Sequence, residues 1–306
     1  MTAATPRVSV ILTVFNGERY IKEAAESILA QTFSDFELLI LDDGSTDKTL
    51  DIVSACATAD ARVRVTSRPN TGVVAARNEL ILKARGPLLA MMDADDVAHP
   101  RRLQLQVDAF EMDQRLVAVG TCCEMVDPDG DLLGFASPPL VHEEIDAALM
   151  AAQPGVAMFQ PSLMLRAGAV RSVGLYRDEA SLAEDADLIL RLAEVGRLAN
   201  LPQRLLSYRV HLGSLSHVST RRQAEVFRQV ASEAARRRGL PTQSARPEAP
   251  LIDLATTAAR THVMWAWWAI DSGNLRTARK HAVKALRLSP FDLEAWRAVA
   301  CALRGG

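Results

Sequence analysis

The sequence has no long hydrophobic run, although 49% of its 306 residues are hydrophobic. Its longest apolar stretches are PLLAMM at 87–92 and MWAWWAI at 264–270, and both are far shorter than the ~20 residues that span a bilayer. The start, MTAATPR, leads directly into VSVILTV without the basic and long apolar regions of a secretion signal. We therefore expect a cytoplasmic protein without membrane-spanning segments.

Cysteine is scarce, and its placement suits neither a metal site nor a disulfide framework. The four cysteines are Cys56, Cys122, Cys123 and Cys301. The adjacent pair would point to opposite faces of a strand, and none of the four has metal-ligand spacing. Reduced, buried thiols are the favoured interpretation, in keeping with the reducing cytoplasm.

An excess of positive charge is also missing, because 35 Lys and Arg stand against 37 Asp and Glu. The formal net charge of −2 gives no overall attraction to nucleic acid, so no nucleic-acid partner is expected. Neither G-x-G-x-x-G nor G-x-x-x-x-G-K-[ST] occurs. These absences argue against a dinucleotide-binding Rossmann site and against a P-loop.

Between residue 8 and about residue 115, short apolar runs alternate with helical patterns. The runs predict strands at 8–14, 36–41, 63–66 and 88–92. Helices are predicted at 19–31, from the N-cap candidates Ser45 and Thr46 to residue 54, and from Gly72 to Lys83. This alternation predicts a parallel sheet with helices on both faces.

The rhythm changes after residue 115. Strands are predicted at 116–126 and 132–136, joined by the turn DPDGD, and at 162–165 and 205–208, with a helix at 183–195. Residues 239–250 combine three prolines with polar residues and are typical of a linker. Beyond them, WAIDSGNLRTARKHAVKALRLSP resembles one tetratricopeptide-type helical pair with a partial neighbour, which should pack on the main domain or on a partner.

Two aspartate clusters follow predicted strands and therefore lie where open α/β sheets bind ligands. DDGSTD (42–47) is also good turn and helix-capping chemistry, so both interpretations remain open for it. In DADD (93–96), Asp93 and Asp95 share one face of an extended segment and form half of a site for Mg²⁺ or Mn²⁺. A diphosphate and water would complete the metal shell.

Two further segments carry candidate functional groups. Glu184, Asp185 and Asp187 lie at a predicted helix start, where the helix dipole favours acidic residues and where an ionised Asp could act as a general base. The segment SYRVHLGSLSH places Tyr208, Arg209, His211, Ser214 and Ser216 in a polar loop after a strand. A lone histidine such as His211 usually has a structural role, but beside a diphosphate site it would contact the diphosphate.

Six motifs in order resemble glycosyltransferase family 2, the inverting nucleotide-sugar transferases of the GT-A fold. They cover residues 7–217: VSVILTVFNGERYIKEAAESILAQTF, FELLILDDGSTDKT, NTGVVAARN, MDADD, AEDADLILRLA and YRVHLGSLSH. The resemblance implies a mostly parallel α/β sheet with flanking helices, with a nucleotide-sugar-binding half at 1–115 and an acceptor-side half at 116–238. The residues beyond 238 predict, independently of the resemblance, a linker at 239–250 and an all-helical, tetratricopeptide-like extension at 251–306.

The resemblance further implies a metal-dependent reaction, with Mn²⁺ or Mg²⁺, that moves one sugar to a hydroxyl of a saccharide or lipid-linked acceptor. UDP is expected as the donor nucleotide over dTDP or GDP, and the absence of a Q-x-x-R-W string favours single transfer over polymer synthesis. Asp185 is implied as catalytic base, and Asp95 and His211 as metal contacts. The implied nucleotide-binding residues are Thr13, Phe15, Asn16, Glu18, Asp42 (or its alternate Asp43), Arg77, Asn78 and Asp93.

Two other functions remain as alternatives. A sugar-nucleotide pyrophosphorylase also joins an α/β nucleotide domain to paired aspartates, although VFNGERY lacks its glycine-rich basic loop. A catalytically degenerate scaffold could instead bind a protein through the helical tail.

The segment 221–238 contains RR and RRR, and it predicts either a solvated charged face or a basic helix on anionic lipid at the inner face of the membrane. Membrane or protein contact would then run through residues 221–306.

Overall fold

A computed structural model describes residues 5–152, 156–212, 220–241 and 257–304. The chain divides into two compact units. The first comprises Met1–Cys122, Ser137–Leu206 and Ala224–Gln243, and the second comprises Cys123–Ala136, Ser207–Gln223 and Ser244–Gly306. Most of the predicted linker, from residue 242 to residue 250, lies outside the described residues. The predicted domain boundaries stay predictions.

The strands form a nine-stranded sheet, in which neighbouring strands lie in the order β3-β2-β1-β4-β8-β6-β9-β5, with β7 paired to β6. The strands are β1 Val8–Val14, β2 Phe36–Asp42, β3 Val63–Ser67, β4 Leu88–Asp93, β5 Val97–Ala98, β6 Leu116–Val126, β7 Leu132–Ala136, β8 Met164–Arg166 and β9 Arg197–Arg209. Strands β1 to β4 pair in parallel, whereas β4 with β8, β8 with β6, and β6 with β7 pair antiparallel. The predicted α/β class is confirmed, and parallel pairing is a property of the first four strands.

Eleven helices lie in the described part of the chain. They are α1 Ile21–Leu29, α2 Thr49–Ala59, α3 Val73–Lys83, α4 Arg102–Met112, α5 His142–Met150, α6 Ala167–Ser172, α7 Glu184–Ala193, α8 Thr220–Arg237, α9 Ala258–Asp271, α10 Leu275–Leu288 and α11 Leu293–Arg304. Residues 160–162 and 178–180 form short 3-10 turns. Among these helices none combines the length and apolarity that crossing a bilayer requires.

The first unit is built around the central strands β1, β2 and β4, which are buried along all or most of their length. All seven residues of β2 are buried, as expected for a parallel strand covered on both faces. Helix α1 buries Ile21, Ala24, Ala25 and Ile28, which recur at helical spacing. Helices α3, α7 and α8 join the same hydrophobic core. The continuous apolar runs therefore become the buried centre of the sheet.

The prediction that Ser45 or Thr46 caps the second helix is wrong, because α2 begins at Thr49. The Ser45 hydroxyl instead accepts from Asn16 N (2.9 Å), and Thr46 N donates to Asn16 Oδ1 (2.8 Å). Lys48 directly precedes α2 and makes no side-chain cap, while Asp47 Oδ1 accepts from the backbone N of Thr49 (2.9 Å), the first residue of the helix. Likewise, the strand predicted at 205–208 is only the end of β9.

The second unit joins the β6–β7 hairpin to helices α9, α10 and α11. Ser272 and Asn274 side chains donate to the carbonyls of Leu133 (3.0 Å) and Leu132 (3.0 Å), at the break predicted between α9 and α10. Buried alanines line the contacts among the three helices, at one-turn spacing in each: Ala266, Ala269, Ala278, Ala282, Ala285, Ala295, Ala298 and Ala302. The helical tail thus buries one face on this hairpin.

Lys280 fixes α10 to the DPDGD turn. Its ammonium nitrogen lies 2.5 Å from Asp127 Oδ2, 2.9 Å from Asp129 Oδ2 and 2.6 Å from Asp131 Oδ2. His281 Nε2 lies 2.9 Å from the same oxygen of Asp127, and both residues are fully buried. Burial alone would raise the pKa of Asp127, but the hydrogen bonds from His281 and Lys280 outweigh it and hold this pKa well below its usual range.

Candidate active site

The ends of β2, β1 and β4 bring three predicted site residues to one edge of the sheet. In the parallel register Val14 pairs with Asp42, and Thr13 pairs with Asp93. Because the carboxyl ends of parallel strands meet at the same edge, the loops that follow these strands are neighbours. Both aspartate clusters therefore lie where ligands bind in open α/β sheets.

Asn16 and Glu18 join the loop after β1 to the loop after β2. Asn16 adopts a left-handed backbone (φ 52°), and its Oδ1 accepts from Thr46 N. Glu18 Oε2 accepts from Lys48 N (3.0 Å), while Glu18 N donates to Asp47 Oδ2 (3.1 Å). Phe15 follows β1 with 52% of its surface exposed. The two polar residues shape the rim, and the exposed ring offers an open face to a planar ligand.

Asp42 and Asp43 hold the loops that follow β2 and β3. Asp42 accepts from Ser45 N (3.2 Å) and Ser67 Oγ (2.8 Å), while Asp43 accepts from the backbone N–H groups of Thr71 (3.1 Å) and Gly72 (2.9 Å). Both carboxylates are buried. The next residue, Gly44, has φ +79°, and a Cβ there would lie 2.8 Å from Asn70 N. These residues clearly organise the loops, and their contact with a base stays a prediction.

The buried guanidinium of Arg77, on α3, connects the end of β4 to the start of α7. Its Nη2 lies 3.2 Å from Asp93 Oδ1, and its Nη1 lies 3.1 Å from Glu184 Oε1. It also lies 5.7 Å from the ring centroid of Tyr176. With its amide nitrogen turned toward Asp93, Gln160 donates to Asp93 Oδ1 (3.2 Å) and accepts from Arg77 Nε (3.3 Å). Arg77 therefore ties three parts of the first unit together.

Asn78, the neighbour of Arg77, grips the backbone of Tyr176. Its Nδ2 donates to Tyr176 O (2.9 Å), and its Oδ1 accepts from Tyr176 N (3.0 Å). Burial raises the pKa of the Tyr176 hydroxyl to about 12. Gln160 and Tyr176 were missed from the sequence because they are 83 and 99 positions away from Arg77 in the chain. Glu184 belongs to the predicted acidic cluster at the start of a helix, but nothing in the sequence indicates its ion pair with Arg77.

Asp185 lies in the first turn of α7, and its Oδ1 accepts from Ala186 N (2.8 Å). Burial, reinforced by the charge of Glu184, raises the pKa of Asp185 to about 6, while the Ala186 N–H and Arg77 oppose this rise. An acid with this pKa is about nine-tenths ionised at pH 7 and still binds protons well enough to act as a general base. The environment thus suits proton transfer near neutral pH.

Asp187, two residues further on, has a structural environment. It is fully buried and forms ion pairs with Arg177 and with Arg191, the latter at 2.7 Å. Arg191 also donates to the carbonyls of Val173 (2.6 Å) and Leu175 (2.6 Å). Asp187 therefore holds the segment before α7 in place, and the three acidic residues of this helix start have three different environments.

Asp93 and Asp95 are the two carboxylates that the sequence predicts as half of a metal site. Burial raises the pKa of Asp93, and the charge of Asp95 adds to the rise while Arg77 opposes it. A cation beside these two carboxylates would relieve that electrostatic cost. Within the described ranges no group of three or more His, Cys, Asp and Glu is arranged to hold a metal. The residues therefore fit a cation that takes its other ligands from a diphosphate and water.

The predicted metal contact His211 follows β9 and belongs to the second unit, whereas Asp95 belongs to the first. Ser214 and Ser216 lie outside the described residues. In α8, Arg237 pairs with Glu194 (2.9 Å) within the first unit, and Arg238, which follows the helix, pairs with Asp146 (2.8 Å). Two arginines of the predicted basic segment thus form ion pairs within the protein.

The family model described as "Glycosyl transferase family 2" matches residues 9–128 of the chain. An uncharacterized glycosyltransferase of Haemophilus influenzae is 30% identical over 238 residues, which cover 74% of this chain and 73% of that protein. A chondroitin synthase of Pasteurella multocida is 31% identical over 201 residues, covering 64% of this chain. The match spans only 20% of that synthase.

Solved structures share the fold at low sequence identity. Staphylococcus aureus TarS 1–349 in complex with UDP-GlcNAc is 18% identical, with a TM-score of 0.60 over 98% of this chain and 89% of that chain. The mannosyltransferase PcManGT of Pyrobaculum calidifontis, in complex with GDP-Man and Mn²⁺, is 20% identical, with a TM-score of 0.57 over 99% and 81%. These similarities confirm the α/β fold expected from the motifs.

Proposed function

Because the chain belongs to glycosyltransferase family 2 and is therefore a glycosyltransferase, we propose that it moves one sugar, with inversion, from a UDP-sugar to an acceptor hydroxyl with the help of a divalent cation. The observation that carries this proposal is the Asp93–Arg77–Glu184 bridge. It links the end of β4, where the donor diphosphate would bind, to the helix that carries Asp185.

Asp185 would act as the general base. The acceptor oxygen attacks the anomeric carbon, its proton passes to the Asp185 carboxylate, and the bond to the diphosphate oxygen breaks with its electron pair. A single displacement of this kind inverts the anomeric configuration. The pKa of about 6 supports this role, because the carboxylate is mainly ionised before the step and holds the proton after it.

Asp93 and Asp95 would hold Mn²⁺ or Mg²⁺, with His211 as a further contact to metal or phosphate. Such a cation neutralises charge that develops on the leaving diphosphate. Support comes from the raised pKa of Asp93, which a nearby positive charge would lower, and from the Mn²⁺ in the related mannosyltransferase structure. The protein's own part is to hold the two carboxylates at the end of β4.

The nucleotide would bind along the rim formed after β1, β2 and β3. Phe15 would stack on the base, one of Asp42 and Asp43 would contact it, and Thr13 would line the floor. The remaining contacts would come from Asn16, Glu18, Arg77, Asn78 and Asp93. The UDP-GlcNAc complex of TarS supports UDP, whereas the GDP-Man complex of PcManGT makes GDP the donor to test against it.

The acceptor would be a saccharide or a lipid-linked saccharide, with the reaction in the cytoplasm or at the inner face of the membrane. The chondroitin synthase similarity supports a place in polysaccharide or glycoconjugate synthesis.

Thermal unfolding with UDP, GDP or dTDP, each with and without Mn²⁺, tests the donor site. A ligand at 100 times its Kd stabilises the folded state by ~2.7 kcal/mol. We expect UDP with Mn²⁺ to produce such a shift and Asp95→Ala to abolish it. The control variant Asp35→Ala should keep the shift, because Asp35 directly precedes β2 and so lies at the end of that strand away from Asp42. A shift for GDP alone would refute the choice of UDP, and no shift for any nucleotide would refute the proposed donor site.

A further inference from the structure

The end of α10, the connection after it and the start of α11 expose four large apolar side chains within nine residues. Leu288 is 56% exposed, Phe291 95%, Leu293 76% and Trp296 54%. We call these four residues the apolar tip. A side chain as exposed as Phe291 touches almost nothing of its own chain, so the tip protrudes from the second unit. Contiguous exposed apolar residues of this kind mark interaction surfaces.

Trp296 shows that the polar part of the tip is already satisfied. Its Nε1 donates to the carbonyl of Pro290 (2.9 Å), while more than half of the residue stays exposed. The indole N–H therefore needs no partner from outside. An aromatic ring in this state can enter an apolar environment without leaving a donor unpaired, as happens at the boundary of a bilayer.

The helix that leads to the tip is strongly basic. Helix α10, LRTARKHAVKALRL, contains five Lys and Arg and no acidic residue. Over the described residues 257–304 there are eight Lys and Arg against three Asp and Glu, although the whole chain has a net charge of −2. Lys280 is engaged by the DPDGD turn, whereas Arg276, Lys284 and Arg287 are exposed. Of these three, Arg287 lies in the last turn of α10, next to Leu288 of the apolar tip, and Lys284 lies three residues before it. Asp292 and Glu294 lie within the tip segment, where Glu294 pairs with Arg297.

We propose that the apolar tip and the cations of α10 dock on an anionic phospholipid surface. A protruding apolar tip needs no complementary groove when it enters the boundary between headgroups and acyl chains. Lipid phosphates match the excess positive charge of α10, and each basic residue near such a surface strengthens binding by ~1 kcal/mol, or about fivefold. Charge complementarity thus favours lipid over an apolar protein partner.

Sedimentation of the full chain with vesicles tests this surface, and it requires no donor or acceptor. We expect binding to vesicles of phosphatidylglycerol and phosphatidylcholine, weak binding to phosphatidylcholine alone, and a decrease at high salt. Lys284→Gln with Arg287→Gln should weaken binding about 25-fold, that is about fivefold for each charge. Phe291→Ser with Leu293→Ser should weaken it at least tenfold.

Matched controls keep the result specific to the tip. Met112→Ser, at a residue that is 87% exposed in the first unit, and Lys22→Gln on α1 should leave binding unchanged. Absence of binding to anionic vesicles would overturn the proposal. So would binding that survives the tip variants but is lost in Arg222→Gln with Arg236→Gln, since α8 would then be the contact. Self-association abolished by Phe291→Ser, without vesicle binding, would assign the tip to a second copy.

Discussion

Replacing Arg77 by methionine should destabilise the folded protein by about 3 kcal/mol at pH 8. Arg77 forms ion pairs with Asp93 and Glu184, whose side chains are 30% and 16% exposed. Methionine keeps most of the apolar volume but leaves two partly buried carboxylates without their cation. Breaking a buried ion pair by removing one partner costs 3–5 kcal/mol, and the partial exposure of Asp93 places the expected loss at about the lower value.

The loss of folding stability in Arg77→Met should increase with pH. Arg77 lowers the pKa values of Asp93 and Asp185, although burial keeps both above their ordinary value. Without Arg77 these pKa values rise further, so the folded state of the variant binds protons more tightly than the wild type does. The folded variant is then penalised increasingly as pH rises through this higher range. We therefore expect a smaller loss at pH 5 than at pH 8.

Urea unfolding at the two pH values measures this difference, with Arg77→Lys as the variant that keeps the charge. Arg64→Met is the matched control, because Arg64 is half exposed and its buried partner Glu37 keeps Arg85 at 2.8 Å. We expect the control to lose less than about 1 kcal/mol. A loss of that small size in Arg77→Met, or an equal loss at pH 5 and pH 8, would refute the assignment of Arg77 as the charge that links β4 to α7.

Two further predictions concern the proposed base and the tail. The rate constant kcat/KM should rise with pH around an apparent pKa of about 6 and then level off. The variant Asp185→Asn should lose this pH dependence, and its kcat should be about 10²- to 10⁴-fold lower. A flat pH profile in the wild type would count against Asp185 as the base. Lys280→Met should destabilise the second unit by about 3 kcal/mol in thermal unfolding, because Asp127 stays fully buried with less countercharge. The control variant Lys284→Met should change the stability of this unit by less than about 0.5 kcal/mol. Equal effects of the two lysine variants would contradict the proposed fixing of α10 by Lys280.

Local chemistry was sufficient to predict most strands. The limits of β1, β6 and β7 agree with the predicted runs at 8–14, 116–126 and 132–136. Strands β1 and β6 are buried along most of their length and are therefore mostly apolar, while β7, which is partly exposed, is bounded by the turn DPDGD and pairs with β6. The start of α2 could not be predicted in this way. Ser45 and Thr46 have good capping chemistry, but Asn16, from a loop 29 positions away, takes their hydrogen bonds.

The motifs located the candidate site but not its internal contacts. The strand ends predicted where Asp42 and Asp93 would lie, and the register confirms their common edge. The ion pair between Arg77 and Glu184 joins residues 107 positions apart, and no periodicity or spacing indicates such a pair. Contacts of this kind depend on how helices pack on the sheet, so they become visible only in the folded chain.

The start of α7 shows how one short acidic segment can separate structural from chemical roles. Asp187 is fully buried between Arg177 and Arg191, so its charge is neutralised and its oxygens are occupied. Asp185 lies two positions earlier, beside Glu184 rather than beside an arginine of its own, and its pKa is raised to about 6. A carboxylate can accept a proton from a substrate only if its charge is not already committed to a partner. Of the three acidic residues, Glu184 is bound to Arg77 and Asp187 to two arginines, so Asp185 is the one whose environment suits a general base.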